Sequence, residues 1–324
     1  MIEKRFNTGN PEDEFYFIEH YKEYIYPYIA TGKPSKDTLA SYHSAIDQFL
    51  EYCDKRRLLP LRAKEYDILK YREYLYDRAY QDTTVALKLT ALRKFYHVAK
   101  KFEFVKNNPL QDIKGTLAQM AAITKYLSKE TLQTVISSLL ARQEMRDVRN
   151  TAIFILMALE GLRTVEIHRM NEEDIDFING IIYIRGKGHS DMIYPREDTM
   201  FVLNKYIQRK YQAVVPGRAE RTGRPVFVSL SNHNNFNRIS RDGIRRSIDA
   251  ILKEFGLKKH GISCHVLRHT CATLLYAETK DLQVVKETLR HKSVQMSSKY
   301  AHVQDRMAKR YTNAIPIKIK EFGD

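Results

Sequence analysis

Apolar residues in the first third of the chain recur at intervals of three and four. Phe15, Ile18, Tyr21, Ile25 and Tyr28 form one such series, which ends before Pro34. Ser35 is placed to cap a second helix, in which Leu39, Tyr42, Ile46, Phe49 and Cys53 line one face. The spacing follows the 3.6-residue turn, and a capping Ser accepts a hydrogen bond from a backbone N–H that has no partner inside the helix. Tyr66, Leu69, Tyr71 and Leu75 predict a third helix. Val85, Leu87, Leu89, Leu92, Phe95 and Val98, after Thr83 and Thr84, predict a fourth. Residues 12–107 are therefore expected to form a small all-helical domain.

Asn107, Asn108 and Pro109 break the pattern, and residues 108–125 read as a linker before a new helix start at Leu127-Ser128-Lys129-Glu130. Beyond it the pattern becomes mixed. A helix is expected from Arg146 to Leu159, and further helices after Ser240, Ser263 and Asp281. Two apolar runs between Ile181 and Tyr194 flank Gly186-Lys187-Gly188, a hairpin pattern that puts Lys187 near the tip. Residues 126–312 thus read as a second domain, mainly α with a small antiparallel β-sheet. In the tail, residues 313–324, Ile315, Ile317 and Ile319 alternate with Pro316, Lys318 and Lys320, as in a short strand.

Charge adds a partner to this outline. The 324 residues carry 54 Lys and Arg against 39 Asp and Glu, a net charge of +15, which suits a polyanion such as nucleic acid or an anionic membrane surface. Residues 1–110 hold 19 basic and 16 acidic side chains, residues 111–324 hold 35 and 23, so most of the field belongs to the second half. No apolar run is long enough to span a bilayer, and the polar, acidic start of the chain lacks the apolar core of a signal peptide. A cytoplasmic protein without a membrane partner is expected. Cys53, Cys264 and Cys271 are odd in number and lack a CxxC pair, so they read as free thiols rather than a disulfide framework or a zinc site.

Three clusters in the second half combine basic and polar residues. In the first, Gly161-Leu162-Arg163-Thr164-Val165-Glu166-Ile167, an arginine follows a glycine at the end of an apolar helix, with a carboxylate three residues on. Such a pair taken alone is usually a surface ion pair. The second is His265-Val266-Leu267-Arg268-His269-Thr270, where a helix brings His265 and Arg268 to one face. The third is Leu289-Arg290-His291-Lys292-Ser293, followed nine residues after His291 by Tyr300 and then by Ala301-His302-Val303. One tyrosine among 21 is by default structural, and only its company singles Tyr300 out.

The order of these motifs, with the Gly-Lys-Gly hairpin between the first and second, resembles the catalytic domain of tyrosine recombinases, the phage-integrase-like family, in its simple two-domain Xer-like form. Ser35-Lys36-Asp37-Thr38-Leu39, the run from Leu87 to Tyr96, and Asn108-Pro109-Leu110 are similar to that family's helical, SAM-like core-DNA-binding domain. The resemblance implies phosphate-binding roles for Arg163 and Arg268, a hairpin lysine in Lys187, active-site histidines in His265 and His291, a nucleophile in Tyr300 and a supporting carboxylate in Glu166. It also implies a duplex site with inverted repeats and a homotetramer on two duplexes formed from free monomers; for the tail, exchange between protomers and packing within its own chain are equal readings. Two departures stand out. The family usually has Gly where this chain has Arg290, and basic residues often continue the hairpin where this chain has His189, Ser190 and Asp191.

The implied chemistry is self-consistent. Attack on a phosphodiester drives further negative charge onto its oxygens, and two arginines supply planar forks of donors that keep their charge at neutral pH. A free phenol has a pKa near 10, so Tyr300 needs a proton acceptor, for which His265 is the candidate. Lys187 can protonate the departing 5′ oxygen. A phosphotyrosyl ester retains the bond energy, so neither ATP, another cofactor nor a metal is expected. Lys55, Arg56, Arg57, Lys88, Arg93 and Lys94 in the first domain, and Arg245 and Arg246 in the second, are candidates for DNA contact. A type IB topoisomerase-like enzyme and a DNA-binding protein without catalysis are the alternative readings. The filled set of catalytic positions argues against the latter.

Overall fold

The computed structural model describes residues 11–30, 32–113, 125–185, 190–213, 224–231, 236–259 and 262–291, together with Ser293, Val294, Ser297 and Tyr300. Lys187 and the tail at 313–324 lie outside the described residues, as does most of the expected linker. The chain divides into two compact units, Met1–Ala122 and Ile123–Asp324.

The first unit is built from α1 (Pro11–Ile25), α2 (Lys36–Lys55), α3 (Glu65–Asp77) and α4 (Asp82–Lys101). Ser35 Oγ accepts from the Thr38 N–H, the cap the sequence calls for. The inward faces meet in an aromatic core, with Phe17 and Tyr21 of α1 packed on Phe95 of α4, and Phe49 of α2 edge-on to Tyr71 of α3. Edge-to-face packing suits rings whose faces are negative and edges positive. Three positions depart from expectation. Phe15 is 62%, Tyr66 66% and Leu87 45% exposed, while Phe17 and Ile68 are fully buried. The buried face of α3 runs through Ile68, Tyr71 and Leu75, at intervals of three and four, and Tyr66 falls off it.

The second unit surrounds α6 (Met145–Ala158), in which every residue from Val148 to Ala158 except Asn150 is buried. A helix apolar on all sides is stable only when covered on all sides. Around it lie α5 (Lys129–Leu140), α8 (Glu197–Ala213), α9 (Arg241–Glu254) and α10 (His265–Thr279), with α7 (Thr164–Arg169) and α11 (Leu282–Leu289) beside the site. Ser128, Ser240 and Asp281 cap α5, α9 and α11 through side-chain oxygens.

The sheet is antiparallel in the order β1 (Ile175–Asp176), β2 (Ile181–Arg185) and β3 (Ser190–Ile193). Tyr183 pairs with Met192 and Arg185 with Ser190, so β2 and β3 form the expected hairpin. Ile182 and Ile184 point into the core and Tyr183 points out. Strand β1 and helix α8 were not legible in the apolar pattern: two residues are too few to show a period, and the inward residues of α8 are interrupted by Thr199 and Lys210, both buried. Lys210 is held by Glu172 and by the carbonyl of Pro225. Among the described residues, no helix is long and apolar enough to cross a membrane.

Candidate active site

The site begins where α6 ends. Gly161 adopts a φ of +63°, and a Cβ there would collide with Leu289 Cδ2 and come within 3.3 Å of Cys271 Sγ. Only glycine turns the chain this tightly against α10 and α11. The turn delivers Arg163 to the N-cap of α7, and Glu166 reaches back to it. Its Oε2 accepts from the Arg163 backbone N–H at 2.8 Å and its Oε1 from Arg163 Nη1 at 2.7 Å. The three-residue spacing is thus a capping arrangement as well as an ion pair. It is not a surface pair, since the Glu166 side chain is 8% exposed.

Arg268 arrives from α10 and is buried. It donates Nη1 to the Gly161 carbonyl and Nη2 to the Leu289 carbonyl, so one guanidinium ties the end of α6 to the end of α11. Arg163 Nη2 lies 3.5 Å from the next carbonyl, that of Arg290. The two arginines therefore rest on consecutive carbonyls at the C-terminus of α11, the end of a helix that favours cations. Burial, with help from the Arg163 charge, pushes the Arg268 pKa down to about 10, which leaves it a cation at neutral pH. Burial alone would raise the Glu166 carboxyl. The Arg290 charge, the Arg163 N–H and the Arg163 guanidinium more than reverse this, and the group sits below the ordinary carboxylate value.

Tyr300 is 1% exposed, and its hydroxyl lies 2.9 Å from His269 Nδ1. Its ring is nearly parallel to that of His291, with centroids 6.4 Å apart, and His291 Nδ1 lies 2.8 Å from Ser297 Oγ. Burial pushes the phenol up to about 12, against the opposing charges of Arg268 and Arg163. With its pKa raised in this way the phenol holds its proton at neutral pH, and it donates to His269 Nδ1 in the tautomer that carries the imidazole proton on Nε2.

The structure thus brings Arg163, Glu166, Arg268, His291 and Tyr300 together. His265 begins α10 on an exposed turn, its N–H 3.4 Å from Ser263 Oγ. The proton acceptor was expected at His265, whereas the histidine bonded to Tyr300 is His269, one turn further along the same helix. The signal lay in the sequence, in the second histidine directly after Arg268, but its orientation did not. Arg290 occupies the left-handed region with φ 54° and ψ 49°, and its Nη2 lies 2.8 Å from Glu166 Oε2.

The proposed DNA contacts differ in what already engages them. Lys55 pairs with Glu51 at 2.5 Å, Arg56 and Lys88 lie over the rings of Tyr52 and Tyr80, and Arg245 pairs with Asp242 at 2.9 Å. Arg57 and Arg246 are exposed and Lys94 half-buried. Arg93 donates to the Ile113 carbonyl at 2.7 Å, which gives it a structural task in the first unit. Arg246 also lines a cavity of about 500 Å³ with Arg146, Arg149, Ser231 and Ser240 at the start of α9. Among the described residues, no three His, Cys, Asp or Glu side chains are grouped to hold a metal ion.

Residues 125–307 match the model described as "Phage integrase family", and residues 18–102 match "Phage integrase, N-terminal SAM-like domain". The tyrosine recombinase XerC of Syntrophus aciditrophicus (strain SB) is 30% identical over 293 residues, which cover 87% of this chain and 92% of that protein. The tyrosine recombinase XerD of Listeria innocua serovar 6a is 27% identical over 272 residues, covering 83% and 89%. Among solved structures, the site-specific recombinase XerH in a post-cleavage complex with palindromic difH aligns with a TM-score of 0.70, over 98% of this chain and 99% of that one, at 18% identity. A lambda integrase dimer bound to a core site aligns with a TM-score of 0.64 at 16% identity, over 87% and 96%. At these identities the structural likeness is one of fold.

Proposed function

The chain belongs to the phage integrase family of tyrosine recombinases, and from that premise we propose that it is a site-specific DNA recombinase with Tyr300 as its nucleophile. The observation that carries the residue assignment is the gathering of Tyr300, His269, His291, Arg268 and Arg163 around the C-terminus of α11. Tyr300 Oη attacks a DNA phosphorus, the bond from phosphorus to the 5′ oxygen breaks, and a 3′-phosphotyrosyl ester and a 5′-hydroxyl result. The phenolic proton passes to His269, whose Nδ1 accepts it when the imidazole carries its own proton on Nε2. Lys187 gives a proton to the departing oxygen. Arg163 and Arg268 hold the non-bridging oxygens, and His265 and His291 complete the phosphate's surroundings. Attack by a second DNA end's 5′-hydroxyl reverses the step and exchanges strands through a Holliday junction, with no ATP required. A buried nucleophile must be exposed before it can attack, so engagement of DNA has to open the Tyr300 pocket.

The partner is duplex DNA with inverted repeats, bound by monomers that form a tetramer on two duplexes, with the helical domain at 12–107 as the second half of the clamp. The work belongs in the cytoplasm, in integration or excision of a mobile element or in resolution of replicons. A nicked suicide substrate carrying the site tests the core of this reading: the wild-type protein should form a covalent adduct visible on a denaturing gel. DNA binding without an adduct would instead support a binding protein that has lost catalysis, and relaxation of plasmid without partner exchange a topoisomerase-like activity.

Three single variants separate the roles. His269→Ala is expected to slow adduct formation about 100-fold, the usual scale of a lost general base. A rate within about twofold of wild type, with His265→Ala alone impaired, would return the acceptor role to His265. Lys187→Ala should cleave an ordinary substrate slowly but a 5′-bridging phosphorothiolate at close to the normal rate, because a thiolate leaves without a proton. Equal slowing on both substrates would remove the general-acid role from Lys187.

A further inference from the structure

The Arg290 side chain is only 7% exposed. It stands at the residue just past α11, where the Arg290 N–H bonds to the Glu287 carbonyl and the His291 N–H to the Lys286 carbonyl, each at 2.9 Å. This paired pattern closes a helix through a left-handed residue, the position at which glycine is favoured. A φ of 54° strains any side chain placed there, so the backbone alone gives no reason for an arginine.

The reason lies in the side chain. Nη1 donates to the Thr288 carbonyl at 2.9 Å, and Nη2 to Glu166 Oε2 at 2.8 Å. The same carboxylate holds Arg163 through Oε1 and caps its N–H through Oε2. Glu166 is therefore shared between two arginines that arrive from opposite ends of the unit's sequence. Shared in this way, it cannot close as a two-pronged pair on Arg163 alone, and Arg163, with its side chain one-third exposed, keeps donors for an incoming anion.

We propose that Arg290 is a positioning residue for strand cleavage, fixing Glu166 so that Arg163 is oriented toward the DNA phosphate. The inference rests on the reading of Arg163 as a phosphate clamp. Arg290 works through Glu166 and touches no reacting atom. The charged groups facing Glu166 are Arg163 at the start of α7, Arg268 from α10 and Arg290 beyond α11, all cations. Removing one of them makes the carboxylate easier to protonate, and a protonated Glu166 no longer orders Arg163.

The test is single-turnover cleavage of the suicide substrate against pH, with duplex affinity and a thermal melt on the same samples. Arg290→Gly places the favoured residue at the left-handed turn and should melt near wild type; Arg290→Gln, which keeps the volume, gives the same comparison should the glycine variant unfold. The expected result is cleavage slowed about tenfold near pH 7, duplex affinity within about twofold, and an acid limb moved to higher pH. Arg290→Lys should recover much of the rate. In the double variant with Glu166→Gln, loss of Arg290 should cost little more than Glu166→Gln alone, as for residues acting in one chain of contacts. Wild-type rates in folded Arg290→Gly and Arg290→Gln across the pH range, or losses that multiply independently of Glu166→Gln, would overturn the inference. Absence of any wild-type adduct would instead overturn the recombinase reading beneath it.

Discussion

Tyr300→Phe is expected to abolish the covalent protein–DNA adduct while leaving duplex binding and the fold in place. The phenylalanine ring fills the same space against His291, so the core beside α10 and α11 stays packed. What disappears is the oxygen proposed as the nucleophile, with its 2.9 Å contact to His269. Loss of a single hydrogen bond costs about 1 kcal/mol of stability, whereas loss of a nucleophile removes the covalent route and lowers cleavage on the order of 10⁴-fold or more. A denaturing gel with the suicide substrate and a binding assay on the same duplex check both halves. An adduct persisting in Tyr300→Phe would move the nucleophile elsewhere. The variant should also differ in alkali. Because burial raises the Tyr300 phenol from 10.0 to about 12 in the folded chain, its contribution to stability is present below pH 10 and is lost as pH rises toward 12. Tyr300→Phe lacks that share of the decline, which denaturant titrations across this range would register.

Gly161→Ala should be the most damaging single methyl group in the second unit. The positive φ makes any Cβ unfavourable by about 1–2 kcal/mol, and the collision with Leu289 adds an overpacking cost of about 1–3 kcal/mol. The combined loss, about 2–5 kcal/mol, is a large part of what an ordinary domain has in reserve. The effect reaches the chemistry as well. The Gly161 carbonyl receives Arg268, and Leu289 both meets the new methyl and supplies the other carbonyl that Arg268 grips. Displacing either moves the guanidinium, and misplacement of a phosphate ligand by about 1 Å is worth on the order of 100-fold in rate. Chemical denaturation and single-turnover cleavage of the folded fraction would show the two losses separately. A variant with wild-type stability would mean that Leu289 can yield without cost.

Much of this was legible in the amino-acid order because it is local. The helix starts at Ser35, Ser128, Ser240 and Asp281, the α2 face through Ile46, Phe49 and Cys53, and the hairpin partners on β2 and β3 depend on residues a few positions apart. The arginine, histidine and tyrosine motifs were legible for a similar reason: phosphoryl transfer demands particular residue types, and their order along the chain identified the family. What the order could not supply was direction. His265 and His269 are one turn apart on α10, and only the packing of that helix, with Leu267 and Arg268 turned inward, exposes the first and aims the second at Tyr300. Helical spacing says which residues share a face but not which face a neighbour covers.

Glu166 and Arg290 make the same point across distance. Their ion pair joins residues 124 positions apart, and in the sequence one looked like half of a surface pair and the other like a misplaced residue at a glycine position. The sequence by itself determined most of the helical segments (though not α8), the paired strands β2 and β3, and the residue types of the candidate site. The tertiary structure decided which histidine meets Tyr300, why Gly161 admits no side chain, and how an arginine at a left-handed turn is retained. Those outcomes depend on close contacts between α6, α7, α10 and α11, and no periodicity within any one of them encodes where the others lie.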